Sequence, residues 1–163
     1  MTAALRAQLS RRIRGATPKE WSRFSTLWMA FNAIYGGEPD ARERSRAMSA
    51  VCRHLSESRA KTLLQECDVP VDRILAVPPG DMQLDRWDPR FRRASRELAR
   101  AVLSRAKARV RLAAMAGILY QVRCNLIHGS KDPQEQRDRM LVKDSVRILE
   151  LLVPALEDGA GGV

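Results

Sequence analysis

Residues 17–37, TPKEWSRFSTLWMAFNAIYGG, decide the fold class. The aromatic residues Trp21, Phe24, Trp28, Phe31 and Tyr35 recur three and four positions apart, the period of one face of an α-helix. A half-buried strand would need alternation at every second position, and the segment does not show it. Thr17-Pro18-Lys19-Glu20 supplies a start. Threonine caps, proline occupies the first helical position where no N–H is needed, and glutamate completes the box. Gly36-Gly37 supplies the stop. Five aromatics on one stripe imply burial in a core rather than a platform for stacked bases. Asn32, between Phe31 and Ala33, reads as a buried structural residue that makes hydrogen bonds.

Working outward, the same period continues. A second helix runs through MSAVCRHL, with Asp40-Ala41-Arg42-Glu43 as its capped start, and a short third covers ESRAKTLLQEC. Residues 69–88, with Pro70, Pro78-Pro79 and Gly80, read as a long irregular connection. Helix resumes near Asp88-Pro89 and is expected to continue, with a bend, towards Ile127. Leu112, Met115, Leu119, Val122 and Leu126 form its stripe. After the HGSKD turn, Asp132-Pro133-Gln134-Glu135 caps a last helix marked by Val142, Val146, Leu149, Val153 and Leu156. Leu141, Ile148, Leu151 and Leu152 widen that face, which suits central packing or a subunit interface. The expectation is all-α: an up-and-down bundle of about five or six helices. One helical domain is expected over residues 1–157, with a disordered tail at 158–163.

The chain of 163 residues is 45% hydrophobic, enough for one sizeable core. No apolar run approaches the length of a membrane span. The start MTAALRAQLSRRIRG lacks the apolar middle of a secretory signal, and Leu5, Leu9 and Ile13 suit an amphipathic helix better than a transit peptide. Cys52, Cys67 and Cys124 form no close-set framework, which points to reduced thiols and a cytoplasmic setting. The net charge is +10, and 24 of the 29 basic residues are arginine. Guanidinium pairs with phosphate in a fork, so RNA is the expected partner, although a GC-rich genome also enriches arginine. The excess is concentrated. Residues 86–111 carry ten basic residues against Asp88 and Glu97. Arg105, Arg109 and Arg111, with Lys131, are the candidates to guide an RNA backbone without reading its sequence.

The remaining signal lies in residues 120–133, YQVRCNLIHGSKDP. Arg123 follows an apolar heptad, and His128 sits at a helix end before Gly129, a natural C-cap. On one reading, a histidine there has no role beyond that of a favourable charge for the helix dipole. Arg123 and His128 can also form a chemical pair. Asn125, three positions from His128, shares its face and either supports that pair or makes a helix-end hydrogen bond. Cys124 and His128 have the spacing for a thiol nucleophile, but no acidic residue is evidently placed to orient the imidazole. Cys52 and His54 could complete a metal site with them only if residues two apart pointed the same way, so no metal is assigned. No phosphate-cradling glycine loop is present and no cofactor is expected.

LWMAFNAIYGG followed by GILYQVRCNLIHGSKDP and RDRMLVKDSVRILELL resembles the HEPN superfamily, over roughly residues 18–156. The resemblance implies a helical bundle that homodimerises, with the R-x4-6-H motifs of both protomers meeting, and in many members a metal-independent endoribonuclease. The motif positions here are Arg123 and His128, and Asn32 matches the family's aromatic-asparagine pattern. The family often has its polar residue directly after the arginine, where this chain has Cys124. The chemistry is consistent with that reading. RNA carries its own nucleophile, imidazole moves protons near neutral pH, and arginine balances charge on a phosphorane. Positions five apart on a helix lie about 140° apart, so a two-fold axis is needed to gather the groups. The resemblance also implies a toxin or host-defence effector with a possible antitoxin or other protein partner. Some relatives are silenced through a tyrosine two residues after the histidine, where this chain has Ser130. The competing expectation is a non-catalytic module of the same fold that binds RNA or protein.

Overall fold

The computed structural model describes residues 19–128 and 136–162. The expectations for Leu5, Leu9 and Ile13, for the Thr17 and Asp132 caps, and for Gly129, Ser130 and Lys131 fall outside the described residues. Within them are seven helices and no strand: α1 (Lys19–Tyr35), α2 (Glu43–His54), α3 (Glu57–Glu66), α4 (Asp68–Ala76), α5 (Arg93–Leu103), α6 (Ala108–Ile127) and α7 (Gln136–Ala160). The all-α expectation holds, with more helices than anticipated.

All five aromatics of α1 are buried. Their spacing makes neighbours along the helix into touching rings. Phe24 stacks on Trp28 at 5.9 Å between centroids, and edge contacts follow from Trp28 to Phe31 at 5.1 Å and from Phe31 to Tyr35 at 5.0 Å. Asn32 departs from expectation. It is exposed, and its carbonyl, not its side chain, accepts the bond from Gly36 N–H at 2.8 Å that ends the helix. The helix turns Asn32 away from the buried stripe that its neighbour Phe31 occupies.

α6 is buried all round from Leu112 to Leu119, as a helix with several neighbours must be. It packs against α2, α3, α5 and α7. Gly117 allows the closest approach, since a Cβ there would lie 2.9 Å from Met48 Sδ and 3.0 Å from Leu98 Cδ1. α7 packs most extensively against α1 and α4 and also meets α2, α3 and α6. Its wide apolar face is therefore covered within the chain. α7 also continues through Asp158, Gly159 and Ala160, where a loose tail was expected. Gly159 lies so close to the end of α2 that any Cβ would collide with the His54 carbonyl.

Three further boundaries differ from the sequence reading. Asp40 accepts from Arg42 N–H at 2.8 Å, forming a turn before α2 instead of capping it directly. The first half of the expected connection is α4, because Pro70 falls in the first helical turn, where proline is tolerated. Arg73 of α4 grips Asp144 of α7 with two nitrogens, at 2.7 and 3.1 Å. The third difference is that α5 and α6 are separate helices. Ser104 turns the chain with its hydroxyl on the Ala101 carbonyl at 2.7 Å. Glu57 of α3 then supplies the cap that α6 lacks locally, accepting from Ala108 N–H and, at 3.1 Å, from Arg109 N–H. These bonds hold the Glu57 carboxyl below its usual range.

Candidate functional site

Residues 77–92 form a strap without helix between α4 and α5. Three aspartates organise it, each accepting from the backbone two positions on: Asp81 from Gln83 at 3.1 Å, Asp85 from Trp87 at 2.8 Å and Asp88 from Arg90 at 2.9 Å. A bond of 2.6 Å from Asp81 N–H to the Phe91 carbonyl closes it. Arg90 also clamps the Asp88 carboxylate at 2.8 Å, which pulls that carboxyl down to about 2.

The last turns of α6 hold this strap. Asn125, only 2% exposed, donates to the Gly80 carbonyl at 2.8 Å and accepts from Met82 N–H at 3.3 Å. It also accepts from Gln121 at 3.1 Å, and Gln121 in turn accepts from Arg44 at 2.8 Å. Asn125 thus pins strap to helix. His128 ends α6, its N–H bonded to the Cys124 carbonyl at 3.1 Å, and its imidazole is exposed. Gln83 of the strap meets His128 Nε2 at 2.6 Å. With the amide NH2 donating, the ring proton resides on Nδ1; with the amide turned over, Nε2 carries it.

Arg123 reaches the other way. Its guanidinium donates to Glu43, the first residue of α2, at 3.3 Å. The same carboxylate accepts from Tyr35 at 2.7 Å and from Tyr120 at 3.4 Å, and Trp28 donates to the Tyr35 hydroxyl at 3.1 Å. The motif arginine is thereby tied to the aromatic stripe of α1. Burial and then the bond to Glu43 push the Tyr35 phenol up, while burial, with Cys124 and Glu43 nearby, pushes Tyr120 up to about 12. Both phenols remain protonated donors at neutral pH. Arg44 and Arg123 both lie against the Tyr120 ring, at 5.3 and 5.8 Å from its centroid, and the Nε of each is buried without a partner among the described residues.

Arg123 and His128 therefore share one end of α6 but no partner, as their angular separation on a helix requires. Within one chain they do not converge. Of the arginines expected to guide RNA, Arg105 is exposed, whereas Arg109 donates to the Cys52 carbonyl at 3.2 Å and Arg111 to the Val102 carbonyl at 2.6 Å. Those two satisfy carbonyls at the ends of α2 and α5. His54 lies 3.7 Å from Glu38, and the Cys52 thiol faces the Arg109 carbonyl at 3.9 Å. Among the described residues no group of three or more His, Cys, Asp or Glu is placed to hold a metal ion.

Sequence reasoning missed Glu43, Arg44 and Gln83. Glu43 and Gln83 contact Arg123 and His128 from distant positions, Arg44 reaches the neighbouring Tyr120 and Gln121, and no local pattern marks these contacts. No described helix is long and apolar enough to cross a membrane. Comparison with protein-family models, with curated proteins and with solved structures finds no match to this chain.

Proposed function

We propose that this chain is a metal-independent endoribonuclease of the HEPN type, an up-and-down helical bundle that works as a homodimer in the cytoplasm, possessing Arg123 and His128 as its reactive groups. The observation that carries the reading is their joint position at one end of α6, His128 exposed and Arg123 partly so, with Ile127 between them 60% exposed to solvent. A two-fold axis through this end would cover Ile127 and gather two guanidinium and two imidazole groups. One His128 then takes the proton of the RNA 2'-hydroxyl as its oxygen bonds to phosphorus. The second protomer's His128 gives a proton to the departing 5' oxygen as the P–O5' bond breaks. Arg123 balances the phosphorane charge, and the products are a 2',3'-cyclic phosphate and a 5'-hydroxyl. The setting would be that of a toxin or defence effector, with an antitoxin or other protein as a further partner.

A second reading, a non-catalytic module binding RNA or protein, is favoured by the engagement of both motif groups. Glu43 neutralises Arg123 and Gln83 occupies Nε2 of His128. Incubating RNA with the purified protein in EDTA separates the two. The nuclease cuts, leaves cyclic or 3'-phosphate ends, and with His128→Ala or Arg123→Ala loses at least about a hundredfold in rate while retaining its circular dichroism. Intact RNA under those conditions would favour the binding module.

A further inference from the structure

A cavity of about 510 Å³ opens between the strap, the start of α5 and the start of α7. Four arginines line it, Arg86, Arg92, Arg96 and Arg137, together with Trp87 and Phe91. Two acidic residues also face it. Asp88 is held by Arg90, and Asp138 is buried on α7. The four guanidinium groups share the lining of this one cavity. Burial first, and then Arg137, Arg96 and Arg86, lower the basicity of Arg92, whose Nε is buried without a partner among the described residues. Like charges lining one cavity are stabilised by an anion among them. α5 begins at Arg93 with no side-chain cap and no acidic residue in its first turn, which adds the positive end of the helix dipole to the same region.

The aromatic component narrows the ligand. Trp87 is 82% exposed, and the Arg86 guanidinium lies 5.4 Å from its ring centroid, leaving a large indole surface in water beside the cationic pocket. A phosphate alone would not use that surface. A nucleotide unit would, with its phosphate among the arginines and its base on the indole. The cavity volume falls within the usual range for sites that hold a small organic group.

Continuity with the motif narrows it further. Met82 lines the cavity, and its N–H is the one Asn125 accepts. Gln83, the next residue, holds His128. We infer that this arginine-lined cavity is a strand-positioning subsite that takes one phosphate and one unpaired base of single-stranded RNA, next to the His128 end of α6. The inference rests on the ribonuclease reading for its substrate, but its binding test does not require cleavage. Base stacking on Trp87 demands an unpaired nucleotide, so duplex RNA is excluded as the preferred ligand.

The test uses full-length His128→Ala protein, so that binding is measured without cutting, and a fluorescently labelled single-stranded RNA followed by anisotropy across a salt series. Trp87→Ala should weaken binding roughly tenfold. The double variant Arg96→Gln, Arg137→Gln should flatten the plot of log affinity against log salt by about 0.7 for each phosphate that is no longer neutralised. A duplex of the same sequence should bind more weakly than the single strand. Because Trp21 and Trp28 are buried, RNA should also shield Trp87, the exposed tryptophan, from iodide quenching. AMP at matched nucleotide concentration identifies whether a free nucleotide suffices; full shielding by AMP alone would overturn assignment to the RNA strand. Wild-type affinity and salt slope in the variants, or equal binding of duplex, would overturn the subsite even if the protein cuts RNA. Absence of cutting with loss of binding in the variants would leave the subsite standing and remove the nuclease reading. Unchanged melting temperatures in the variants establish that binding, not folding, is measured.

Discussion

Asn125 illustrates how one buried amide can join a helix to a segment distant in sequence. Two of its three hydrogen bonds connect α6 to Gly80 and Met82, the residues that lead into Gln83 and so to His128, and the third, from Gln121 of the same helix, orients the amide. Replacing it with alanine strands the Gly80 carbonyl and the Met82 N–H. Leaving the carbonyl of the buried Gly80 unsatisfied in this way costs about 1–3 kcal/mol. Asn125→Ala should therefore lower the melting temperature, and hydrogen exchange should show the loss of protection concentrated in the strap rather than spread through α1 or α7. Uniform loss of protection would contradict the local role. At this scale the sequence was only partly legible. Arg123 and His128 could be singled out, because an arginine and a histidine at the end of an apolar helix stand out locally. Glu43, Arg44 and Gln83 could not, because their proximity is a product of tertiary packing. Asn32 was misread for a related reason: flanking residues say little about which way a helical side chain points.

Among the elements, the junction of α5 and α6 depends on a carboxylate from elsewhere. Glu57 of α3 caps α6, and the donors hold its carboxyl below the ordinary value. A folded-state pKa lowered in this way adds stability above the unfolded value, and the contribution fades as pH falls through the lowered one. Glu57→Gln should thus reduce the melting temperature at pH 7, with the difference from wild type shrinking below about pH 4. A difference that stayed constant from pH 7 to pH 3, measured by circular dichroism, would argue against the cap. The helices of α1, α2, α3 and α7 were legible because each carries its own apolar period. The break before α6 was not, because its cap is remote in sequence. α4 was hidden by Pro70, which signals interruption in sequence but sits where a helix accepts it.

For the whole molecule, the proposed chemistry requires two copies. Light scattering should give a mass twice that of the chain at micromolar concentration, and Ile127→Glu should shift it towards the monomer and abolish cutting while the helical spectrum persists. Cutting by a strictly monomeric wild-type protein would remove the composite-site mechanism. The all-α class and the aromatic core were legible throughout. The pairing of helices was not, because a wide apolar face on α7 serves equally for a central helix or for a subunit contact. Packing against α1 and α4 resolves that ambiguity in favour of the chain itself.

That enclosure has a kinetic corollary. With the apolar face of α7 packed within the chain, the proposed dimer would draw on smaller patches such as the exposed Ile127, and unions of that kind are readily reversible. For the proposed paired nuclease, turnover per mole of polypeptide should then climb with enzyme concentration and level off once pairing saturates, so that cellular abundance would set a threshold for RNA damage.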